Sequence, residues 1–306
     1  MLKQIVVIFL CAAFAGAEIH EHPGNTQELP HDKYIRAVSE RDSPVQQVYI
    51  KTRDGLYVAA AMRKPKGNGP FPALIYFHGA PGGRGMEQLV SWSAGTTGGP
   101  LWERFLKEGY VVVVADYRGG VDFKAMLAPI AKSQVTYVDD GLSVLEYVQK
   151  LPYVDASRIS VYGVSLGGNL VLHLLGRAKP YRAILGAPAA MSFLGAQVPQ
   201  AAAGTDPNER WKTARIDEEL AKQNIEPIQT PILILVGTAD GLIHIDRPLH
   251  DLLAKSGKPV RMDIYENGYH DFCAGPQGHP GRKEPLLDST LEALEKSVQF
   301  VKGELR

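Results

Sequence analysis

The chain has 306 residues, of which 45% are hydrophobic, so it is long enough to bury one large core. Its 33 basic and 33 acidic residues balance, and this excludes the strong positive field of a protein that binds nucleic acid or an anionic membrane through charge. We therefore expect one globular domain, with or without a small insertion.

Residues 1–17 have the composition of a secretion signal. A lysine near the start is followed by an apolar run at 5–13 and by small residues at 15–17. The run is too short to span a membrane, although an uncleaved anchor is the alternative. Cleavage after the small residues predicts a secreted or periplasmic protein with no stable membrane anchor. It would also remove Cys11 and leave Cys273 alone, so no intrachain disulfide is expected.

Residues 18–44 are polar and predict a loosely ordered lead-in segment. The pair His20 and His22 has a spacing that occurs in metal sites, but two histidines in a polar tail are typically solvated, so no metal is predicted. The catalytic domain is expected to follow over 45–306.

From residue 45 onward the pattern alternates between strands and helices. Apolar residues alternate with period two on both sides of Asp54-Gly55, which predicts a β-hairpin. Continuous apolar runs predict strands covered on both faces, as in a parallel sheet. These runs are 73–77, 111–115, 159–162, 183–185 and 232–236. Alternation at 260–264 predicts a strand nearer a sheet edge.

Helical spacing of apolar residues appears between these strands. Helices are predicted at 102–107, 137–151, 211–223 and 245–254, and a last one through Leu287, Leu291, Leu294, Val298 and Val301. Such alternation indicates right-handed crossovers that place helices on both faces of a mostly parallel sheet. In sheets of this class the reactive residues follow the carboxyl ends of the strands.

The stretch Gly163-Val-Ser165-Leu-Gly167 is the most informative part of the chain. It lies between a short β-type run and an apolar helix, the setting in which G-x-S-x-G holds a serine on a sharp turn with its hydroxyl exposed. A Cβ at either glycine would collide with the neighbouring strand or helix. Ser165 is therefore predicted to be a nucleophile.

A serine nucleophile needs a base, and the base needs a carboxylate. His270 follows the last strand in a flexible turn, whereas the other histidines are more typical of turns, helices or surface. Asp240 lies just past the carboxyl end of a buried strand and is the favoured acid, since Asp271 adjoins His270 and Asp246 suits a helix cap. The chain order Ser165, Asp240, His270 is the one found in α/β-hydrolases.

An oxyanion forming at the attacked carbonyl requires donors. One is predicted to be the backbone N–H of Leu166, directly after the serine at a helix start. The other is predicted to be the N–H of Ala80, with Gly79 as the alternative, because Pro81 has no N–H.

Four further segments carry a resemblance to a known family. They are His78-Gly-Ala-Pro-Gly, Ala115-Asp-Tyr-Arg118-Gly, Val154-Asp-Ala-Ser-Arg158-Ile and His270-Asp-Phe. Together with the nucleophile they make residues 45–303 similar to the α/β-hydrolase superfamily, in its prolyl oligopeptidase and dienelactone-hydrolase-like branch. The resemblance implies an eight-stranded α/β-hydrolase fold. It also implies Ser165 as nucleophile, Asp240 as acid, His270 as base, and the two backbone donors, without metal or organic cofactor.

Two departures from this resemblance favour an esterase. Peptidases of the branch generally carry a large β-propeller before the hydrolase domain, and only about 27 residues (18–44) are expected between the signal segment and the first strand here. Dienelactone hydrolase itself has a cysteine nucleophile, whereas position 165 is serine. We therefore expect a carboxylic ester hydrolase with a small-molecule substrate. A peptidase acting on short peptides and a non-catalytic binding protein on the same fold are the alternatives.

Substrate selection is predicted from two segments. The glycine-rich stretch 81–100 is either a mobile wall or an ordinary surface connection, and residues 187–230 are expected to form a small lid. Trp92, Tyr117 and Met191 are candidates for the acyl pocket, with plain packing as the alternative for each. Arg118 either meets a substrate carboxylate or forms a structural ion pair.

Overall fold

An eight-stranded sheet forms the centre of the protein, and the computed structural model describes residues 43–94, 101–119, 136–199, 207–274 and 287–305. The strands are β1 (Gln46–Lys51), β2 (Tyr57–Arg63), β3 (Phe71–Phe77), β4 (Val111–Ala115), β5 (Val154–Val164), β6 (Ala183–Gly186), β7 (Ile232–Gly237) and β8 (Val260–Tyr265). The signal segment and almost all of the lead-in lie outside the described residues, so both stay predictions.

The sheet order is β1-β2-β4-β3-β5-β6-β7-β8. The hairpin β1–β2 and the pair β2–β4 are antiparallel, and every other neighbouring pair is parallel. The predicted hairpin, the buried runs and the edge position of β8 are all confirmed. This is the mostly parallel eight-stranded sheet of the α/β-hydrolase fold.

Alternate residues of each central strand enter two separate cores, one on each face of the sheet. In β4, Val111 and Val113 pack into one core, and Val112 and Val114 pack into the other. All four are fully buried, which explains why the strand is apolar throughout rather than alternating.

Seven α-helices are described, and they cover both faces. They are α1 (Gly85–Ser93), α2 (Leu101–Lys107), α3 (Tyr137–Gln149), α4 (Leu166–Leu175), α5 (Glu218–Ile225), α6 (Ile243–Lys255) and α7 (Leu287–Lys302). Helices α3 to α6 contribute to one core and α1, α2 and α7 to the other. Within the described ranges, no helix is both long and apolar enough to cross a bilayer.

The segment after β6 differs from the single helix predicted over 211–223. It forms a short 3-10 helix (Pro207–Thr213) and then α5, separated by an extended stretch. Arg215 in that stretch forms a β-bridge with Gln197, and the side chain of Asp217 accepts the N–H of Leu220 to begin α5. The bridge and the cap interrupt a helix that apolar spacing alone would continue.

Candidate active site

Ser165 occupies a strained turn between β5 and α4. Its backbone has φ 54° and ψ −119°, in the positive-φ region that non-glycine residues rarely adopt. A Cβ on Gly163 would lie 2.2 Å from the carbonyl oxygen of Gly167, and a Cβ on Gly167 would lie 2.1 Å from the carbonyl oxygen of Phe77. The predicted steric need for both glycines is confirmed. The turn holds the serine at the carboxyl edge of the sheet.

Asp240 and His270 follow β7 and β8, and the loops that carry them are joined by backbone contacts. The N–H of Ala239 donates to the carbonyl of Gly268 at 2.9 Å. A Cβ on Gly237 would lie only 2.0 Å from the same carbonyl oxygen. Asp240 is buried, and its Oδ1 accepts the N–H of Leu242 at 3.0 Å, which leaves Oδ2 for His270.

The three side chains form one hydrogen-bonded chain. His270 Nε2 lies 2.9 Å from Ser165 Oγ, and His270 Nδ1 lies 2.8 Å from Asp240 Oδ2. Since a carboxylate only accepts, Nδ1–H donates to Asp240 and Nε2 is left to accept the serine proton. The three predicted residues are thus in contact, although Ser165 and His270 are 105 residues apart in the sequence.

The charge of Asp240 changes the basicity of this imidazole. Burial disfavours the imidazolium and lowers the pKa of His270, but the hydrogen bond to Asp240 and the negative charges of Asp240 and Asp271 raise it by more. The net pKa lies above that of a free histidine. The ring remains 36% exposed, so a reacting group has access to it.

One predicted backbone donor directly follows the serine in the chain, and the loop that carries the other lies against it. Leu166 is the first residue of α4, where a helix N–H has no partner within the helix. Gly79 lies against Ser165, since a Cβ on it would be 3.3 Å from Ser165 Cβ and 3.9 Å from Oγ. Ala80 is the next residue, so its N–H belongs to the same short loop after β3.

The proposed pocket residues differ in exposure. Tyr117 and Met191 are almost completely buried, and the hydroxyl of Tyr117 donates to the carbonyl of His78 at 2.6 Å. Trp92 keeps exposed surface and lies with its ring centroid 5.4 Å from that of His78. The acyl-pocket assignment therefore stays a prediction, with Trp92 as the member that offers surface to a ligand.

Arg118 is occupied by two carboxylates of the protein. Its guanidinium contacts Asp140 at 2.6 Å and Asp54 at 2.5 Å. Asp140 is completely buried, and burial raises its pKa although Arg118 lowers it. Of the two interpretations of Arg118, the structural ion pair is the one observed.

Two carboxylates near the site, Asp246 and Asp116, have environments that the sequence pattern does not indicate. Asp246 does not cap α6, because the cap residue is Leu242, which makes no side-chain cap bond, and Asp246 lies within the first turn. Its side chain is fully buried, and neither oxygen has a hydrogen-bond partner among the described residues. Asp116, after β4, binds the loop that carries Ala80. Its position at a strand end beside β3 was the available signal.

The predicted lid over 187–230 is described except for residues 200–206. Its beginning is packed rather than open: Phe193 and Leu194 are buried, and Trp211 of the 3-10 helix also enters a core. Whether this segment covers the site stays a prediction.

Comparison with known proteins assigns the family. The family model described as the prolyl oligopeptidase family matches residues 102–294, more than half of the chain. The chain is 24% identical over 222 residues to acylamino-acid-releasing enzyme 2 of Oryza sativa subsp. japonica, which covers 66% of this chain and 28% of the relative. It spans less than two-fifths of the length of such curated relatives.

Solved structures share the fold at low identity. An esterase from Pyrobaculum calidifontis superposes with a TM-score of 0.59 at 18% identity and covers 90% of this chain and 91% of its own. Dipeptidyl peptidase 4 of Porphyromonas gingivalis gives 0.58 at 23%, covering 86% of this chain and 36% of its own. With its sheet, its strained serine turn and the matched family model, the chain belongs to the prolyl oligopeptidase family of α/β-hydrolases.

Proposed function

We propose that this protein is a serine hydrolase that cleaves carboxylic esters through Ser165, His270 and Asp240. The observation that carries the proposal is the pair of contacts at 2.9 Å and 2.8 Å that connect the three side chains. Family membership supports a serine hydrolase, and the strained backbone of Ser165 is typical of an exposed nucleophile in this fold.

The geometry supports a two-step reaction. Ser165 Oγ attacks the ester carbonyl carbon while its proton passes to His270 Nε2, and the N–H groups of Leu166 and Ala80 stabilise the oxyanion. The tetrahedral intermediate collapses as His270 returns the proton to the departing alcohol. Water then loses a proton to the same nitrogen and attacks the acyl-enzyme, and His270 returns that proton to Ser165 Oγ as the acid is released.

Replacement of the nucleophile tests the mechanism. Ser165→Ala is expected to lower the turnover of a nitrophenyl ester by roughly a million-fold while the protein stays folded. The measurement is steady-state hydrolysis beside a thermal unfolding curve of both proteins. A folded variant that keeps a tenth of wild-type turnover would refute the mechanism. A wild-type protein that neither turns over an ester nor reacts with a fluorophosphonate would favour the non-catalytic alternative.

A serine peptidase is the second candidate, because the names of the relatives include an acylamino-acid-releasing enzyme and a dipeptidyl-aminopeptidase. Esters are favoured because the fold also matches an esterase over nine-tenths of both chains. A panel of nitrophenyl esters and peptide nitroanilides with matched acyl groups separates the two, since amide leaving groups need well-aligned protonation. Higher kcat/KM on the anilides would reverse the preference.

We also propose export, on the composition of residues 1–17. Expression of the full chain in a secreting host should give a mature protein that begins at Glu18. Mass spectrometry of the N-terminal peptide checks this, and an intact Met1 on the exported protein would contradict it.

A further inference from the structure

The loop after β3 carries the proposed donor Ala80, and it forms neither strand nor helix until α1 begins at Gly85. Two residues that the catalytic scheme does not use, His78 and Asp116, are buried at the carboxyl ends of neighbouring strands β3 and β4. Both form hydrogen bonds with this loop, residues 78–85, which we name the oxyanion loop.

Asp116 binds the oxyanion loop at several points. Its Oδ1 accepts the N–H of Gly83 at 2.9 Å and faces His78 Nε2 at 3.1 Å, and its Oδ2 accepts the N–H of Gly85 at 2.8 Å. Oδ1 also accepts the N–H of Tyr117 at 2.8 Å. Burial raises the pKa of Asp116, but these donors more than offset it and the pKa lies below the usual value. An ionised carboxylate, which only accepts, suits this set of donors.

His78 transmits this support to the donor itself. Its Nδ1 lies 2.7 Å from the carbonyl oxygen of Gly79, and its ring stacks on Tyr117 with centroids 4.8 Å apart. The Gly79 carbonyl and the Ala80 N–H belong to one trans peptide unit, which is planar with the two groups pointing in opposite directions. A hydrogen bond that fixes the carbonyl therefore fixes the direction of the N–H.

We propose that His78 and Asp116 are positioning residues that orient the Ala80 N–H toward the reacting carbonyl oxygen. The Asp116 carboxylate and the Gly79 carbonyl both only accept, so these two contacts require a hydrogen on each ring nitrogen of His78. Asp116 then holds the ring, the ring holds the Gly79 carbonyl, and the peptide plane aims the donor. The inference rests on the proposed function, since it assigns a role within the same site. A donor that is pre-oriented stabilises the oxyanion without reorganisation at the moment of reaction.

Two substitutions of His78 separate the steps. His78→Asn keeps an amide donor near the place of Nδ1, facing Gly79, whereas His78→Gln keeps one near the place of Nε2, facing Asp116. The Gln variant should lose roughly 100-fold or more in kcat on an oxygen ester, as for a lost oxyanion donor, while KM stays within a few-fold. The Asn variant should retain most of the activity.

Asp116→Asn tests the other end, with Asp140→Asn as its matched control. Asp140 is also buried and also accepts a backbone N–H after β4, that of Arg118, at 2.7 Å, but its recorded hydrogen bonds are with Arg118 and none is with the oxyanion loop. Asp116→Asn should lower kcat as His78→Gln does, because its amide nitrogen cannot accept a backbone N–H and the oxyanion loop loses a bond at Gly83 or Gly85 that His78→Asn leaves intact. The control should change thermal stability more than kcat.

The specific readout is the ratio of kcat/KM for an ester and its thiono analogue, because aligned donors favour oxygen over sulfur. The ratio of ester to thiono ester should fall below the wild-type value in His78→Gln and Asp116→Asn. It should stay near the wild-type value in His78→Asn and Asp140→Asn. An unchanged ratio in folded His78→Gln, or an equal fall in His78→Asn, would overturn the proposal. If the wild type instead shows no Ser165-dependent turnover, it is the proposed function that fails.

Discussion

Asp246 provides a direct test of how burial changes an ionisable group beside the site. It lies in the first turn of α6, its side chain is fully buried, and neither oxygen has a partner among the described residues. Burial raises its pKa well above the usual value, and the charge of Asp240 raises it further. We therefore expect Asp246 to be protonated in the folded protein at pH values where the unfolded chain is ionised.

The sign and slope of the effect follow from proton linkage. An unfolded aspartate releases its proton near pH 3.9, whereas folded Asp246 retains it. Between those two pKa values the folded state binds one more proton, so the wild type loses up to about tenfold in its folding equilibrium constant per pH unit as pH rises. Asp246→Asn cannot ionise in either state, and it should therefore gain stability over the wild type as pH rises from about 4.

Denaturant unfolding of both proteins at half-unit intervals from pH 4 to pH 8 measures this difference. The control is Asp288→Asn in the first turn of α7, which removes the same charge where the side chain is exposed. A stability difference for Asp246→Asn that is constant with pH would refute the reasoning, because it would mean that Asp246 ionises equally in both states. Ester turnover at pH 7 should be unchanged.

Two further predictions concern the site. Asp240→Asn should lower kcat by about 10⁴-fold, and it should move the acid limb of the kcat/KM profile to lower pH, because His270 then keeps the burial that lowers its pKa and loses the partner that raises it. A pH–rate profile with an unmoved limb would contradict this. Arg118→Gln leaves buried Asp140 without its cation and should cost a few kcal/mol of stability, toward the low end of about 3–5 because Arg118 is 29% exposed. The check is KM for a neutral ester and for an ester that bears a carboxylate, in the wild type and in Arg118→Gln. If the ratio of the two KM values is the same in both proteins, Arg118 has a structural role. A KM that rises only for the charged ester in Arg118→Gln would contradict this.

The fold was predictable because its signals are local. Each buried strand is a continuous apolar run, since alternate residues enter opposite cores, and no distant information is needed to see it. Ser165 was predictable for the same reason, because its glycines and flanking elements lie within a few residues. His270 and Asp240 required one further rule, that reactive residues follow the carboxyl ends of parallel strands.

What escaped prediction depends on partners far away in sequence. An aspartate near a helix start predicts a helix cap, but the side chain of Asp246 is enclosed by the core and makes no such bond. The helix expected over 211–223 is broken by Gln197, 18 residues before Arg215, through a β-bridge. A histidine at a strand end with a glycine directly after it predicts only a structural turn at His78, because nothing near it in the chain indicates that Asp116 binds its ring.

A close approach of two glycines occurs both at the turn that carries Ser165 and between the segments that carry Asp240 and His270. At the serine turn, Gly163 and Gly167 approach so closely that a Cβ on the first would lie 2.2 Å from the carbonyl oxygen of the second. Gly237, the last residue of β7, approaches Gly268, in the loop after β8, in the same way, since a Cβ on Gly237 would lie 2.0 Å from the carbonyl oxygen of Gly268. The second contact fixes Asp240 and His270 relative to each other before a substrate arrives, so catalysis need not supply the entropy of assembling them. The two glycines that surround a serine are visible in one short motif. Gly237 and Gly268, which hold Asp240 and His270 in alignment, belong to separate segments of the sequence, and their approach is visible only in the folded chain.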